Sequence, residues 1–144
     1  MFELFDLRKL LRADIEAETE ARVAKAVDYF KQGYNCTQSV TLTFADWYGF
    51  SESQMARVSG SFGGGIGRMR ETCGAACGMF MLAGLEVTNI NDAPEAFPKE
   101  GNPYPDQELK KKDYEVVQRL AADFKQQTGS LNCKELLGLL KQRA

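Results

Sequence analysis

Residues 72–86 read TCGAACGMFMLAGLE, and this stretch decides the fold. It is apolar all round, and Glu86 at its end is its only charged residue. A helix with no polar face is usually buried by its neighbours, and threonine is a common helix cap. We therefore predict a buried central helix from Cys73 to about Glu86, capped by Thr72.

Five further helices are predicted around this one from start and stop signals. Asn35 with Gln38, and Ser51 with Gln54, have the spacing of a capping box, in which each side chain bonds the other residue's backbone N–H. Asn132 begins the last helix in a similar way. The five helices cover about residues 6–30, 36–48, 52–59, 106–128 and 133–142.

The 144 residues are predicted to form one compact all-α domain, a bundle of about six helices over residues 1–144. No stretch alternates as a strand does, and no segment repeats. An N-terminal helix is expected within residues 1–31. All four prolines fall in residues 87–105, which predicts a long proline-rich loop of the kind that is often functional or mobile.

The amino-acid composition excludes several classes of function. Eighteen basic and 20 acidic residues give a net charge of −2, which offers no basic surface to nucleic acid or to an anionic membrane. No apolar run approaches the roughly 20 residues of a membrane span, and residues 1–20 lack the pattern of a signal peptide. We therefore expect a cytoplasmic protein with reduced cysteines. The sequence contains no histidine, so Cys–His nucleophile pairs and histidine-containing zinc sites are excluded.

Three of the four cysteines, Cys36, Cys73 and Cys133, directly follow a predicted capping residue. The start of a helix carries about half a positive charge, which favours a thiolate over a thiol. Arg68 and Arg70 add positive charge just before Cys73. Because the thiolate is both the nucleophile and the metal ligand, this placement predicts reactivity or ligation at these three cysteines.

The fourth cysteine, Cys77, lies four residues after Cys73 on the same helix face, with Cβ atoms about 5–6 Å apart. A disulfide requires about 3.5–4.5 Å, so we expect the partner of Cys73 on another helix, as Cys36 or Cys133. For Cys77 itself, packing and function are equally expected. The small residues beside it form one surface that admits either a close-packed helix or a flat cofactor: Gly74, Ala75 and Gly78.

A glycine-rich stretch, residues 60–67, precedes Cys73. Backbone N–H groups of such a turn can bind an anion, yet no strand precedes it and its spacing matches no nucleotide-binding motif. We predict a turn that positions Cys73. Its candidate binding residues are Gly64, Gly65, Gly67 and Arg68.

A metal centre is the main alternative to redox chemistry. Four thiolates hold zinc or an iron–sulfur cluster in many proteins. The candidate ligands would be Cys36, Cys73, Cys77 and Cys133, although no CxxC pair, the usual signature of such sites, occurs among them.

Four blocks of sequence occur in order: YNC at 34–36, FGGGIGRM at 62–69, CGAACG at 73–78 and LNCKELLG at 131–138. Together they resemble the C_GCAxxG_C_C family, described as putative redox-active proteins of about this length. The resemblance implies redox activity and carries over Cys36, Cys73 and Cys133 as family cysteines. It also places Gly74, Ala75 and Gly78 at motif positions, whereas Cys77 falls at an unspecified one.

We predict a thiol–disulfide redox protein, in which Cys73 attacks and Cys133 or Cys36 resolves. It would act as a thiol–disulfide oxidoreductase on a redox partner protein or a small thiol. The first alternative is a four-cysteine zinc or iron–sulfur module. The second is a non-catalytic interaction domain that docks through its N-terminal helix or its proline-rich loop.

Overall fold

The computed structural model describes residues 12–90 and 107–138. Within these ranges the chain is all-α, as predicted, and its one β-type contact is an isolated bridge between Thr72 and Asn132. The helices are α1 (Arg12–Lys31), α2 (Cys36–Leu42), α3 (Glu52–Ser59), α4 (Gly74–Ile90), α5 (Gln107–Thr128) and α6 (Cys133–Leu136). Two short 3₁₀ helices cover Asp46–Tyr48 and Gly60–Phe62.

Side-chain caps begin three of the helices where the sequence predicts them. Asn35 accepts a hydrogen bond from the Gln38 N–H (2.9 Å), and the Gln38 side chain accepts from the Asn35 N–H (3.1 Å). Ser51 and Gln54 form the same capping box at α3. At α6, Asn132 accepts from the N–H of Glu135. These caps satisfy N–H groups that the first helical turn leaves unpaired.

The ends of three helices differ from the predicted ones. α2 ends at Leu42, and the chain reaches Gly49 through turns and a 3₁₀ helix, because serine and threonine hydroxyls in this segment bond backbone carbonyls. α6 ends at Leu136 and is followed by Gly138 in the left-handed conformation (φ 70°), which stops a helix. α4 continues to Ile90, because no proline or glycine occurs between residues 85 and 93. The predicted loop therefore loses its first residues to the helix, and residues 91–105 lie outside the described ranges, as does the predicted helix end near residue 142.

α2 lies at the centre of the described structure. It packs against α1, α3 and α4, while α5 packs on the other side of α4. The apolar core contains Tyr29, Leu42, Ala45 and Met55. α4, predicted as the buried centre, is only partly buried, with Ala76 and Ala83 among its most enclosed residues.

The centre of the fold is also unusually rich in hydroxyl groups, which are buried in and beside α2: Thr37, Ser39, Thr41, Thr43 and Ser59. Thr41 Oγ1 lies 2.9 Å from Ser59 Oγ, and Ser59 donates to the Met55 carbonyl. Because a buried hydroxyl without a partner is costly, this network constrains how α2 and α3 pack.

Apolar residues recur at helical spacing along the first helix, among them Val23, Val27 and Phe30, and this spacing predicts a stripe that faces the core. In the described part of the helix the stripe does not face the core. Val23, Val27 and Phe30 are 58%, 48% and 60% exposed. α1 instead buries Tyr29, whose hydroxyl donates to Glu52 in α3 (2.8 Å). No helix in the described parts has the length and apolar character of a membrane span.

Candidate thiol site

Two short segments that are distant in sequence pair through their backbones and bring Cys73 and Cys133 together. The Cys73 N–H donates to the Leu131 carbonyl (2.7 Å), and the Cys133 N–H donates to the Glu71 carbonyl (2.6 Å). These two bonds flank the bridge between residues 72 and 132. In an antiparallel pair, residues one step beyond a bridge on each chain are diagonal neighbours on one face, with Cα atoms about 7–8 Å apart.

Cys73 lies at the N-cap position of α4, whereas the sequence predicts it to be the first residue of the helix. Its carbonyl accepts the first helical hydrogen bond, from the N–H of Cys77 (2.9 Å), and the helix begins at Gly74. Thr72, predicted as the cap, is instead part of the backbone bridge to Asn132. The bridge therefore determines where α4 starts.

Gly74 allows Cys36 to lie beside Cys73. A Cβ atom on Gly74 would lie 2.2 Å from the Cys36 Sγ and 2.8 Å from the Thr37 Oγ1, so no larger residue fits without movement. Thr37 donates a hydrogen bond to the Gly74 carbonyl (2.8 Å), which links α2 to the start of α4. The Cys36 thiol is consequently packed against the residue that follows Cys73.

The glycine-rich segment forms a left-handed turn. Residues 64–68 all have positive φ, from 57° to 74°, and Arg70 follows at 61°. The turn is closed by hydrogen bonds from the Arg70 N–H to the Gly64 carbonyl and from the Glu71 N–H to the Gly65 carbonyl. For residues other than glycine this conformation costs about 1–2 kcal/mol each, so Arg68 and Arg70 are held in it by the surrounding contacts.

This turn packs directly onto the cysteine site. A Cβ on Gly65 would lie 2.6 Å from the Cys133 Cβ, and one on Gly63 would lie 2.3 Å from the Asn35 side chain. Asn35 also donates to the Gly60 carbonyl (2.9 Å). The turn thus contacts both α2 and α6, the two helices that begin with Cys36 and Cys133.

Arg70 lies beside Cys133. Its Nη1 donates to the Cys133 Sγ at 3.7 Å. The sequence suggests Arg70 as a charge next to Cys73, because the two are close in the chain. The left-handed turn redirects its side chain to the cysteine on the opposite side of the bridge.

One cavity of about 630 Å³ collects most of these groups. Seven of the predicted site residues line it: Cys36, Gly64, Gly67, Arg68, Cys73, Gly74 and Cys133. Cys36 and Cys73 are half-buried and Cys133 is 8% exposed, and all three are free thiols. The cavity lining therefore includes three cysteines from three helix starts, of which Cys36 and Cys73 are the more exposed and Cys133 is as buried as Cys77.

Four predicted site residues are not part of the cavity lining: Gly65, Ala75, Cys77 and Gly78. Gly78 provides close helix packing, since a Cβ there would lie 2.9 Å from Val40 Cβ. Cys77 is buried, and burial raises the pKa of its thiol above its usual range, with the neighbouring Cys73 and Cys36 adding to the shift.

Several residues of the site are not predicted from the sequence as site residues. Asn35 and Thr37 contact the segments that hold the cysteines, and Phe30 and Leu137 line the cavity, while Arg70 contacts Cys133 rather than Cys73. Asn35 is visible in the sequence only as a helix cap. No sequence signal indicates a left-handed Arg70, because non-glycine residues rarely adopt that conformation.

A metal centre requires several ligand side chains that lie close together. Within residues 12–90 and 107–138, no group of three or more Cys, Asp or Glu side chains is arranged to hold a metal ion. The predicted ligand set of four cysteines is divided by the fold, since Cys77 is buried outside the cavity.

A second groove, of about 450 Å³, lies between α1 and the segment after α2. It is nearly apolar, and Arg22 stacks there over the rings of Phe44 (5.1 Å) and Trp47 (5.4 Å). It contains no cysteine. The candidate for chemistry is therefore the thiol cavity.

Comparison with known proteins gave one match. The sequence model of a family described as putative redox-active protein (C_GCAxxG_C_C) matches residues 34–144. No curated protein and no solved structure matched the chain. The matched range includes every residue that lines the thiol cavity except Phe30 and Gly33.

Proposed function

Because this chain belongs to the C_GCAxxG_C_C family, we propose that it carries out thiol–disulfide exchange at the cavity lined by Cys36, Cys73 and Cys133. The observation that carries the proposal is the convergence of three free thiols from separate parts of the chain on one cavity. Thiols that pack only structurally need no common cavity, whereas exchange requires an attacking thiol and a second one within reach.

Cys73 is the proposed attacking residue, since it is half-buried and lines the cavity. It also precedes Gly74, on which the Cys36 sulfur packs, and flanks the backbone bridge beside Cys133. Its thiolate attacks one sulfur of a substrate disulfide, the substrate S–S bond breaks, and one substrate thiol leaves with a proton. A mixed disulfide remains on Cys73.

A second cysteine then attacks the Cys73 sulfur and releases the other half of the substrate as a thiol. The substrate disulfide is thereby reduced, and two protein thiols become a protein disulfide. Cys133 is one candidate, because the bridge between residues 72 and 132 makes it a diagonal neighbour of Cys73. Such neighbours usually have Cα atoms about 7–8 Å apart, so the backbone must move for a disulfide to form between them. Cys36 is the other, since its Sγ packs against Gly74.

Alkylation mass spectrometry on protein purified without oxygen tests the proposal. Mild oxidant should produce one reversible disulfide that joins Cys73 to Cys133 or Cys36. Cys73→Ser should abolish exchange and leave the helical circular dichroism unchanged. Cys77→Ala, a change in the same helix outside the cavity, should retain exchange.

Two outcomes would contradict the proposal. Thiols that resist oxidant but react faster after a chelator is added would indicate a metal centre. Thiols that resist oxidant with or without chelator would indicate a structural role for the cysteines in an interaction domain.

A further inference from the structure

The charged side chains that line the thiol cavity are all positive. Arg68 and Arg70 both line it, and its lining contains no aspartate or glutamate. Across residues 12–90 and 107–138, neither guanidinium forms an ion pair with a carboxylate. Two cations therefore face the cavity without an anion from the described chain to balance them.

Arg68 contributes little else to the described fold. Its side chain is exposed, and no side-chain hydrogen bond joins it to another described residue. Its backbone is left-handed (φ 61°), a conformation that glycine adopts more readily.

The cavity has the size of a small-molecule site. Its volume of about 630 Å³ falls within the roughly 300–1,000 Å³ of ligand pockets. Its lining also includes apolar side chains, of which Phe30 and Leu137 are 60% and 55% exposed. The cavity thus combines reactive sulfur, positive charge and apolar surface.

We infer that the substrate is a small disulfide, or its thiol form, that carries carboxylate groups, and that Arg68 and Arg70 bind those groups beside Cys73. The inference rests on the proposed exchange function. Guanidinium groups bind carboxylates through paired, charge-assisted hydrogen bonds, which would hold the substrate S–S bond near the attacking sulfur. The exchange step itself is unchanged: one substrate disulfide and two protein thiols give one protein disulfide and two substrate thiols.

Two aromatic disulfides test the inference. 5,5′-Dithiobis(2-nitrobenzoate) carries two carboxylates, and 4,4′-dithiodipyridine is uncharged at neutral pH. Their second-order rate constants with the reduced protein are measured by stopped flow. The ratio of the two constants isolates the charge of the reagent, because any change in thiol reactivity affects both.

Arg68→Gln and Arg70→Gln should each lower this ratio about threefold, the effect of one unit charge about 6 Å away in a watery medium. Arg70→Lys, which keeps the charge but loses the paired hydrogen bonds, should lower the ratio less than Arg70→Gln does. Arg57→Gln, on the exposed face of α3 and outside the cavity, should not change it. Equal ratios in the cavity variants and in the Arg57 control would overturn the inference.

Salt dependence tests the same point on the unaltered chain. The net charge of −2 alone would repel the dianionic reagent, so its rate would rise as salt screens the repulsion. Local attraction by the two arginines predicts the opposite: the rate should fall with salt, while that of the neutral reagent stays constant. A rise for the dianion would contradict the inference.

Failure of the exchange function gives a different result. Both outcomes release one aromatic thiol for each cysteine that reacts, so the mass of the protein distinguishes them. If no protein disulfide forms, each reacting cysteine keeps half of the reagent as a mixed disulfide, whereas a protein disulfide retains none of the reagent and lowers the protein mass by two hydrogen atoms. The charge preference is read from the rates and the exchange from this mass, so each can fail separately.

Discussion

Replacing Gly74 with alanine should both destabilise the protein and disturb the site. The new Cβ would lie 2.2 Å from the Cys36 Sγ, so the sulfur must move by about 1.3 Å to reach an ordinary contact distance of about 3.5 Å. Overpacking of this kind costs about 1–3 kcal/mol. Rotation of the Cys36 thiol can relieve part of the strain and would change its position in the cavity.

Gly84→Ala provides the matched control in the same helix. A Cβ there would meet only the Asp113 carboxylate, at 3.6 and 3.8 Å, which is ordinary contact. Alanine is the better helix former, so this change should stabilise the protein by about 0.5–1 kcal/mol. The two glycine-to-alanine changes should therefore have opposite signs.

A double-mutant cycle with Cys36→Ala tests whether contact with the Cys36 sulfur causes the loss of stability in Gly74→Ala. Removal of the sulfur should reduce the penalty at Gly74 by about 1–2 kcal/mol, as expected for residues in direct contact. A remainder should persist, because Thr37 Oγ1 and the Phe62 carbonyl would still lie 2.8 and 3.2 Å from the new atom.

Urea unfolding of the five proteins (the unaltered chain, the three single variants and the Gly74→Ala/Cys36→Ala double variant) under reducing conditions measures these free energies, with circular dichroism as the signal. If Gly74→Ala stabilises the chain as Gly84→Ala does, or costs the same with and without the Cys36 sulfur, the described packing of Cys36 on α4 is refuted.

Three further predictions follow from the same structure. Gly65→Ala should lower the free energy of unfolding in urea more than Gly49→Ala does. Both glycines have positive φ (74° and 78°), but a Cβ on Gly65 would lie 2.6 Å from the Cys133 Cβ, whereas one on Gly49 would meet nothing within 4 Å. Equal losses would show that packing against Cys133 does not contribute. Cys77, whose pKa burial raises, should be alkylated more slowly than the half-buried Cys36 and Cys73 and should need a higher pH, as followed by peptide mass spectrometry; labelling of Cys77 as early as that of Cys36 and Cys73 would contradict its burial. Burial and a glutamate in α3 raise the pKa of Tyr29 to about 12. The contribution of Tyr29 to stability is therefore fully present below about pH 10, its pKa in the unfolded chain, and is lost as the pH rises towards 12. Tyr29→Phe should reduce the difference in unfolding free energy between pH 9.5 and 11.5, and an unchanged difference would refute the assignment.

Most helix starts could be predicted from the sequence. The caps at Asn35, Ser51 and Asn132 occur where expected, because a cap needs only residues within three positions of one another. Helix ends were less predictable. The early end of α2 reflects side-chain bonding within its hydroxyl-rich segment.

The buried face of α1 could not be predicted. Periodicity indicates an apolar stripe, but Val23 and Val27 are exposed while Tyr29 enters the core. Which face is buried depends on what packs against the helix. In this fold α1 buries the face that carries Tyr29, whose hydroxyl donates a hydrogen bond to Glu52 of α3.

The sequence by itself determined the all-α class, the helix starts, the family, and the three cysteines that follow or occupy helix caps. Each of these depends on local spacing or on short motifs. Only the tertiary structure decided that Cys73 and Cys133 are joined by a backbone bridge, that Gly74 accommodates Cys36, and that Arg70 lies beside Cys133. The physical reason is that these contacts join residues far apart in the chain through a left-handed turn, whose conformation is stabilised by its surroundings and carries no local signal.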